Sequence, residues 1–142
     1  MKKKILLTGA SGTVGKQVLS QLIDFDCYEI SIVARKQALK QKELKNLLNK
    51  VAIINCDLSK YKDFLKINEK FDVVIHLAAI IPPLADEKPI LAEIVNTSGT
   101  INLIKRLEKV SPNAFFMYSS SISVYGDRLY SPNINVSDPL SI

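Results

Sequence analysis

Near-continuous apolar runs recur at residues 5–8, 29–34, 51–55, 72–77 and 114–118. Strands with one wet face alternate apolar and polar residues, whereas parallel strands covered on both faces read as unbroken apolar stretches of this kind. Between the runs, residues 13–24, 37–49, 60–67 and 89–110 carry helical patterns, the last opening on Pro89, which the first turn of a helix tolerates. Each helical stretch is long enough to cross from one parallel strand to the next. No internal repeat or linker interrupts the pattern before residue 120. The alternation predicts an α/β fold: right-handed βαβ units forming an open, doubly wound parallel sheet of about five strands. Ligands of such sheets bind beyond the carboxyl ends of the strands.

Composition narrows the class without changing the fold. A chain of 142 residues fits one domain, and 47% hydrophobic with 23% charged residues is the balance of a folded globular protein. Cys27 and Cys56 are too few for a disulfide framework and suit a reducing compartment, so the cytoplasm is the expected location. Met1-Lys2-Lys3-Lys4 begins like a secretory signal, but its apolar run stops at Thr8. No stretch approaches the roughly 18 apolar residues of a membrane span, and a soluble protein is expected. The net charge of +5 is concentrated in residues 35–50, where six basic residues face the single acid Glu43. That run is either a solvated helix face or an anion-binding surface. Nucleic acid is not expected as a partner, because no aromatic residues are interleaved for base stacking.

Candidate chemistry lies at the strand ends. After the first strand comes Thr8-Gly9-Ala10-Ser11-Gly12-Thr13-Val14-Gly15. Gly9 permits a tight exit, Gly12 lets backbone approach a pyrophosphate, and Gly15 lets the helix pack closely on the sheet, while the helix N-terminus offers amides and a positive dipole end. A purely structural turn uses glycine too, so the weight comes from the placement between a buried strand and a helix. After the second strand, the acid that binds an adenosine ribose hydroxyl in NAD proteins is absent. Arg35 and Lys36 stand there instead, Arg35 twenty residues beyond Gly15. A guanidinium can fork onto a 2′-phosphate and a lysine can add a point charge, which favours NADP over NAD; the competing reading has both residues capping the strand in solvent. Asp57, in Asn55-Cys56-Asp57-Leu58, is equally an acceptor for an adenine amino group or a turn aspartate. His76 has the chemistry of a general base but sits inside an apolar strand, which reads as a packed core residue. Ala78 and Ala79 follow it and leave room for a cofactor.

Together these residues resemble the extended branch of the short-chain dehydrogenase/reductase superfamily, which includes sugar-nucleotide epimerases, dehydratases and related reductases. The resemblance runs through nearly the whole chain. Its T-G-x-x-G-x-x-G motif corresponds to Thr8 through Gly15, its D-L/I adenine contact to Asp57-Leu58, and its H-x-A-A/G segment to His76 through Ala79. Its N-x-x-G-T motif corresponds to Asn96-Thr97-Ser98-Gly99-Thr100, and its S-S-x-x-V-Y-G stretch to Ser120 through Gly126. The Ala34-Arg35 pair is similar to NADP-dependent reductases; NAD-bound epimerases keep an aspartate at the first position. The resemblance implies that residues 1–142 form a Rossmann-type NAD(P)-binding domain. It also implies that Ser119 contacts the cofactor, that Asn96 builds the cofactor-side wall, and that Ser121 is the catalytic hydroxyl orienting a substrate oxygen. No metal is expected. Without the resemblance, the poor helix formers around Asn96 would suggest only a kink.

One motif of the family has no counterpart. Its Y-x-x-x-K pair, which exchanges a proton with substrate and holds the nicotinamide ribose, is missing: neither Tyr125 nor Tyr130 is followed by lysine four places on. The sequence therefore reads as an incomplete domain, truncated after about five strands, whose apolar positions Ile94, Ile101, Ile104 and Leu107 would lie bare beside an exposed edge strand. Self-association through helix 89–110 would cover them. The intact protein is expected to be an epimerase, dehydratase or reductase acting on a small-molecule substrate; a dinucleotide-sensing module without catalysis and a non-functional remnant are the alternatives.

Overall fold

A computed structural model describes residues 1–40, 42–126 and 133–141. Five strands, β1 (Lys3–Thr8), β2 (Tyr28–Ala34), β3 (Ala52–Asn55), β4 (Val73–His76) and β5 (Phe115–Tyr118), form one sheet in the order β3-β2-β1-β4-β5. Every neighbouring pair is parallel. The order reverses between β1 and β4, where the two halves of a Rossmann-type sheet diverge and leave a crevice at their carboxyl ends.

The unbroken apolar runs are explained by the two cores they serve. Leu6, Val33 and Val74 point to one face and pack with Phe64, Leu103 and Leu107. Leu7, Ile30, Ile32 and Ala34 point to the other and pack with Leu19 and Leu44. Strand residues of both parities are therefore apolar, because each face has helices over it.

Helix α1 (Thr13–Asp24) coincides with the expected span. The expected helix 37–49 is instead a 3₁₀ turn, Ala38–Lys40, and a shorter helix α2, Lys42–Leu48. Leu39 and Leu44 both pack against the sheet. Five residues turn an α-helix by about 500°, so one continuous helix could not aim both inward, whereas Leu44, Leu47 and Leu48 share a face. Residues 60–67 likewise form a 3₁₀ segment, Tyr61–Lys66, rather than an α-helix. Its two inward residues, Phe64 and Ile67, are buried three positions apart, the spacing at which side chains eclipse in a 3₁₀ helix. Arg106 holds the segment's end by donating from Nε to the Ile67 carbonyl at 2.7 Å and from Nη2 to the Leu65 carbonyl at 3.3 Å.

The stretch 89–110 is helical throughout but changes register. A short helix α3 (Leu84–Glu87), not anticipated from the pattern, precedes α4 (Pro89–Glu93). A π-helical segment, Ile94–Gly99, then leads into α5 (Thr100–Val110). Its backbone stays in the right-handed region on both sides, at Glu93 and Thr100. The poor helix formers Asn96, Thr97, Ser98 and Gly99 thus mark a π-bulge, a feature common at functional sites. Gly99 is needed there because a β-carbon would stand 2.9 Å from the Leu58 carbonyl oxygen.

Exposure on this helix follows two stripes. Ile94, Ile101 and Ile104 are 39%, 46% and 38% exposed, and Phe115 on β5 is 63% exposed, as the sequence suggested. Leu107 departs from that expectation: it is buried with Leu103, one turn away on the stripe that faces the sheet. Among the described residues, no helix is long and apolar enough to cross a membrane.

Candidate functional site

A cleft of about 450 Å³ opens where β1, β2, β3 and β4 end. It is lined by Gly9, Ser11 and Gly12 from the first loop, by Val33, Ala34, Arg35 and Ala38 after β2, and by Cys56, Asp57, Leu58 and Ser59 after β3. Leu77, Ala78, Ala79 and Ile80 follow β4, and Leu91 and Val95 close the far side. Residues named from four separate motifs, Gly9, Gly12, Arg35, Asp57, Leu58, Ala78 and Ala79, therefore meet in one place.

The three glycines of the first loop have distinct requirements. Gly9 has φ +75°, and a β-carbon there would sit 2.6 Å from the Ala78 nitrogen and the Leu77 carbonyl carbon. Both the left-handed backbone and the close approach of the β4 exit exclude a side chain. At Gly15 a β-carbon would collide with the Gly9 carbonyl oxygen, so this glycine seats α1 on the strand end. Gly12 differs from both. Its extended backbone, φ −76° and ψ 168°, suits any residue, and its nearest obstacle, the Gly9 oxygen, would be 3.3 Å from a β-carbon. A side chain at position 12 would make a tight but not prohibitive contact with the Gly9 backbone, and Gly12 itself lines the cleft.

Around Gly12 the backbone turns directly into a helix. The Gly12 amide donates to the Gly9 carbonyl at 3.0 Å, and the Lys16 amide makes the first intrahelical bond, to the Gly12 carbonyl at 2.9 Å. No side chain caps α1. The amides of Thr13, Val14 and Gly15 precede that bond, at the positive end of the helix dipole. Thr13, Val14 and Gly15 are not among the residues lining the cleft, and the side chains of Thr13 and Val14 are exposed, Val14 by 63%.

The second and third strand ends supply opposite charges. The Arg35 carbonyl accepts from the Ala38 amide at 2.9 Å, which turns the chain after β2. The exposed Arg35 side chain has no ion-pair or hydrogen-bond partner among the described residues. Lys36 is also exposed but does not line the cleft. Asp57 is the turn aspartate of the two expected possibilities. Its Oδ1 accepts from the Ser59 amide at 3.1 Å and hydroxyl at 2.8 Å, forming a turn, while Oδ2 has no partner among the described residues. Cys56 beside it is 1% exposed, and burial pushes its thiol up to about 12, so it is an inert apolar lining.

Asn96 does not line the cleft but grips a residue that does. Its Oδ1 accepts from the Ile80 amide at 2.7 Å, and its Nδ2 donates to the Ile80 carbonyl at 2.8 Å. The side chain thereby satisfies both main-chain groups of Ile80, as a neighbouring strand would. His76 is a core residue, 1% exposed, with burial pushing its pKa down to about 4.

Ser119 and Ser121 are not brought to the cleft. Both are exposed, and Ser121 caps the 3₁₀ turn Ile122–Tyr125, its Oγ accepting from the Ser123 amide at 3.2 Å and donating to the Ser123 hydroxyl at 3.1 Å. Tyr130 and the rest of 127–132 lie outside the described residues. Among the lining residues that sequence reasoning did not assign to the site are Ser11, Ser59, Ile80, Leu91 and Val95. Ser11 and Ser59 sat within or beside motifs already singled out; Leu91 and Val95 carried no signal distinguishing them from ordinary helix apolar positions.

Known proteins resemble this chain in sequence and in fold. The model of the NAD dependent epimerase/dehydratase family matches residues 5–140. The chain is 31% identical over 136 residues to UDP-glucose 4-epimerase 2 of Arabidopsis thaliana, an alignment covering 89% of this chain and 38% of that protein. It is 28% identical over 131 residues to CDP-paratose 2-epimerase of Salmonella typhi, covering 87% and 38%. Among solved structures, the UDP-Glc/GlcNAc 4-epimerase from Campylobacter jejuni is similar with a TM-score of 0.84 and 26% identity, covering 98% of this chain and 43% of that one. The chain spans about two fifths of the length of these relatives.

Proposed function

The chain belongs to the NAD dependent epimerase/dehydratase family, and from that premise we propose that residues 1–142 form the dinucleotide-holding part of an epimerase, dehydratase or reductase that prefers NADP. The observation that carries this reading is Gly12: a glycine demanded neither by a left-handed backbone nor by an outright clash, lining the cleft at the start of a helix with no side-chain cap. In this reading the amides of Thr13, Val14 and Gly15 hold the pyrophosphate, and Gly9 and Gly15 keep that turn tight against β4. Asp57 Oδ2 accepts from the adenine amino group beside Leu58. Ala78 and Ala79 leave the β4 exit open to the middle of the cofactor.

Preference for NADP rests on Arg35, an unpaired guanidinium at the end of β2 where a carboxylate would repel a 2′-phosphate. Lys36 adds a second positive charge next in the chain, from outside the cleft. The chemistry that a bound nicotinamide dinucleotide supplies is hydride transfer to or from a carbinol or carbonyl carbon. Ser121 orients the substrate oxygen. For the whole protein a nucleotide sugar is the favoured substrate class, since relatives over this region are named for UDP- and CDP-sugar epimerases.

A second reading, a dinucleotide-binding module without chemistry of its own, draws on one observation: Ser121 lies outside the cleft with its hydroxyl engaged by Ser123. Fluorescence titration with NADPH and NADH tests the shared premise. Saturable binding of NADPH, tighter than NADH, is expected; tighter binding of NADH would remove the role given to Arg35. Turnover of a nucleotide sugar or carbonyl substrate by the coenzyme-loaded protein separates the two readings.

A further inference from the structure

The one histidine of the chain stands at the centre of a hydrogen-bond chain whose proton positions are fixed by elimination. Thr100 Oγ1 lies 2.7 Å from the Asn96 carbonyl oxygen, which can only accept, so the Thr100 hydroxyl donates there. Having spent its proton, Thr100 Oγ1 must accept from His76 Nε2, 2.9 Å away, and Nε2 carries the hydrogen. On the other side the Ala78 amide donates to Thr8 Oγ1 at 3.2 Å. With Nε2 protonated and the buried ring neutral, Nδ1 is bare, and the Thr8 hydroxyl donates to it at 2.6 Å. The groups meeting the ring are Thr8 from β1, Thr100 from α5, and the rings of Phe116 and Tyr118 from β5, with centroids 5.9 and 5.7 Å away. Tyr118 alone among them is ionisable, and among the described residues no carboxylate bonds to the ring to hold an imidazolium.

The chain closes on itself around the exit of β4. It runs from the Ala78 amide through Thr8, His76 and Thr100 to the Asn96 carbonyl, and the Asn96 side chain returns to both main-chain groups of Ile80. Thr8 immediately precedes Gly9, and Ala78 and Ile80 line the cleft. The π-bulge carries Asn96, so the register change in the helix is part of the same circuit.

We propose that His76 is a positioning residue for the dinucleotide: as the neutral Nε2–H tautomer it locks the Gly9 turn, the Ala78–Ile80 wall and the π-bulge into one spacing. The role rests on the proposed cofactor reading, since it acts on coenzyme only through Gly9, Ala78 and Ile80. A general base is excluded by the same geometry, because both ring nitrogens are occupied inside the protein.

The test uses the whole chain and two readouts. Long-range ¹⁵N–¹H correlation spectra of the imidazole are expected to show the Nε2–H tautomer, unchanged between pH 8 and 5; an Nδ1–H tautomer or a cation in that range would overturn the circuit. NADPH titration of folded His76→Leu and Thr100→Val is expected to show affinity lowered roughly tenfold in each, with no further loss in the double variant, as for residues acting as one unit. Wild-type affinity in a folded His76→Leu or Thr100→Val protein would overturn the positioning role alone. Should His76→Leu fail to fold, the near-isosteric Thr100→Val carries the comparison. Absence of NADPH binding by the wild-type chain would instead overturn the cofactor reading, a result the tautomer spectrum does not depend on.

Discussion

Acidification should destabilise this protein through a single buried ring. Free histidine titrates near 6.5, and burial lowers His76 to about 4. Between those values the unfolded chain takes up a proton that the folded chain refuses. Stability is therefore at its full value above pH 6.5 and falls as the pH drops towards 4, below which the contribution is gone. At about 1.4 kcal/mol per pH unit the window amounts to about 3 kcal/mol, a large part of the 5–15 kcal/mol typical of a whole domain. Carboxylates blur the raw acid curve. Asp26 and Asp63 are held below their usual value mainly by hydrogen bonds from Lys2 and Lys66, and they lose their contribution only further towards acid. The measurement is therefore a difference: urea unfolding of wild type and His76→Leu at several pH values from 7.5 to 4.5. The variant should be less stable at neutral pH, since the hydroxyls of Thr8 and Thr100 lose a partner, and the two curves should converge towards acid. Parallel curves across the range would refute the reasoning, because they would mean that the ring ionises alike in both states.

Other substitutions probe the remaining parts of the site. Gly9→Ala combines a φ of +75° with a β-carbon 2.6 Å from β4-exit backbone, and should cost at least about 3 kcal/mol in chemical denaturation or prevent folding. Asn96→Leu leaves the Ile80 amide and carbonyl without partners and should lower unfolding free energy by about 1–3 kcal/mol, with faster hydrogen exchange at the Ile80 amide. Arg35→Ala should leave thermal stability unchanged, because the side chain is exposed, while weakening NADPH by roughly 10- to 100-fold and NADH hardly at all in parallel titrations.

Much of this architecture was legible because burial on two faces leaves a direct trace. The five apolar runs became the five strands with shifts of a residue or two at their ends, and α1 fell on its expected span. The glycine loop was legible for a similar reason: Gly9 and Gly15 are sterically obligatory, and obligation shows as residue type. Helix type was harder. The 3₁₀ segments at Ala38–Lys40 and Tyr61–Lys66 arise from where Leu39 and Phe64 must meet the sheet, which only the assembled fold decides. The π-bulge left a signal, four poor helix formers in a row, but its purpose lies in the contact of Asn96 with Ile80, sixteen residues away, and in its link through Thr100 to His76. Leu107 was misplaced because an apolar residue on a wide helical stripe does not announce which edge faces the core.

The central claim is that the turn between β1 and α1 receives a diphosphate, and Gly12→Ala tests it most directly. The account predicts a variant with unchanged fold and with unfolding free energy within about 1 kcal/mol of wild type, yet with NADPH and NADH binding both abolished or weakened at least roughly 100-fold. A folded Gly12→Ala protein that binds coenzyme as tightly as wild type would contradict it.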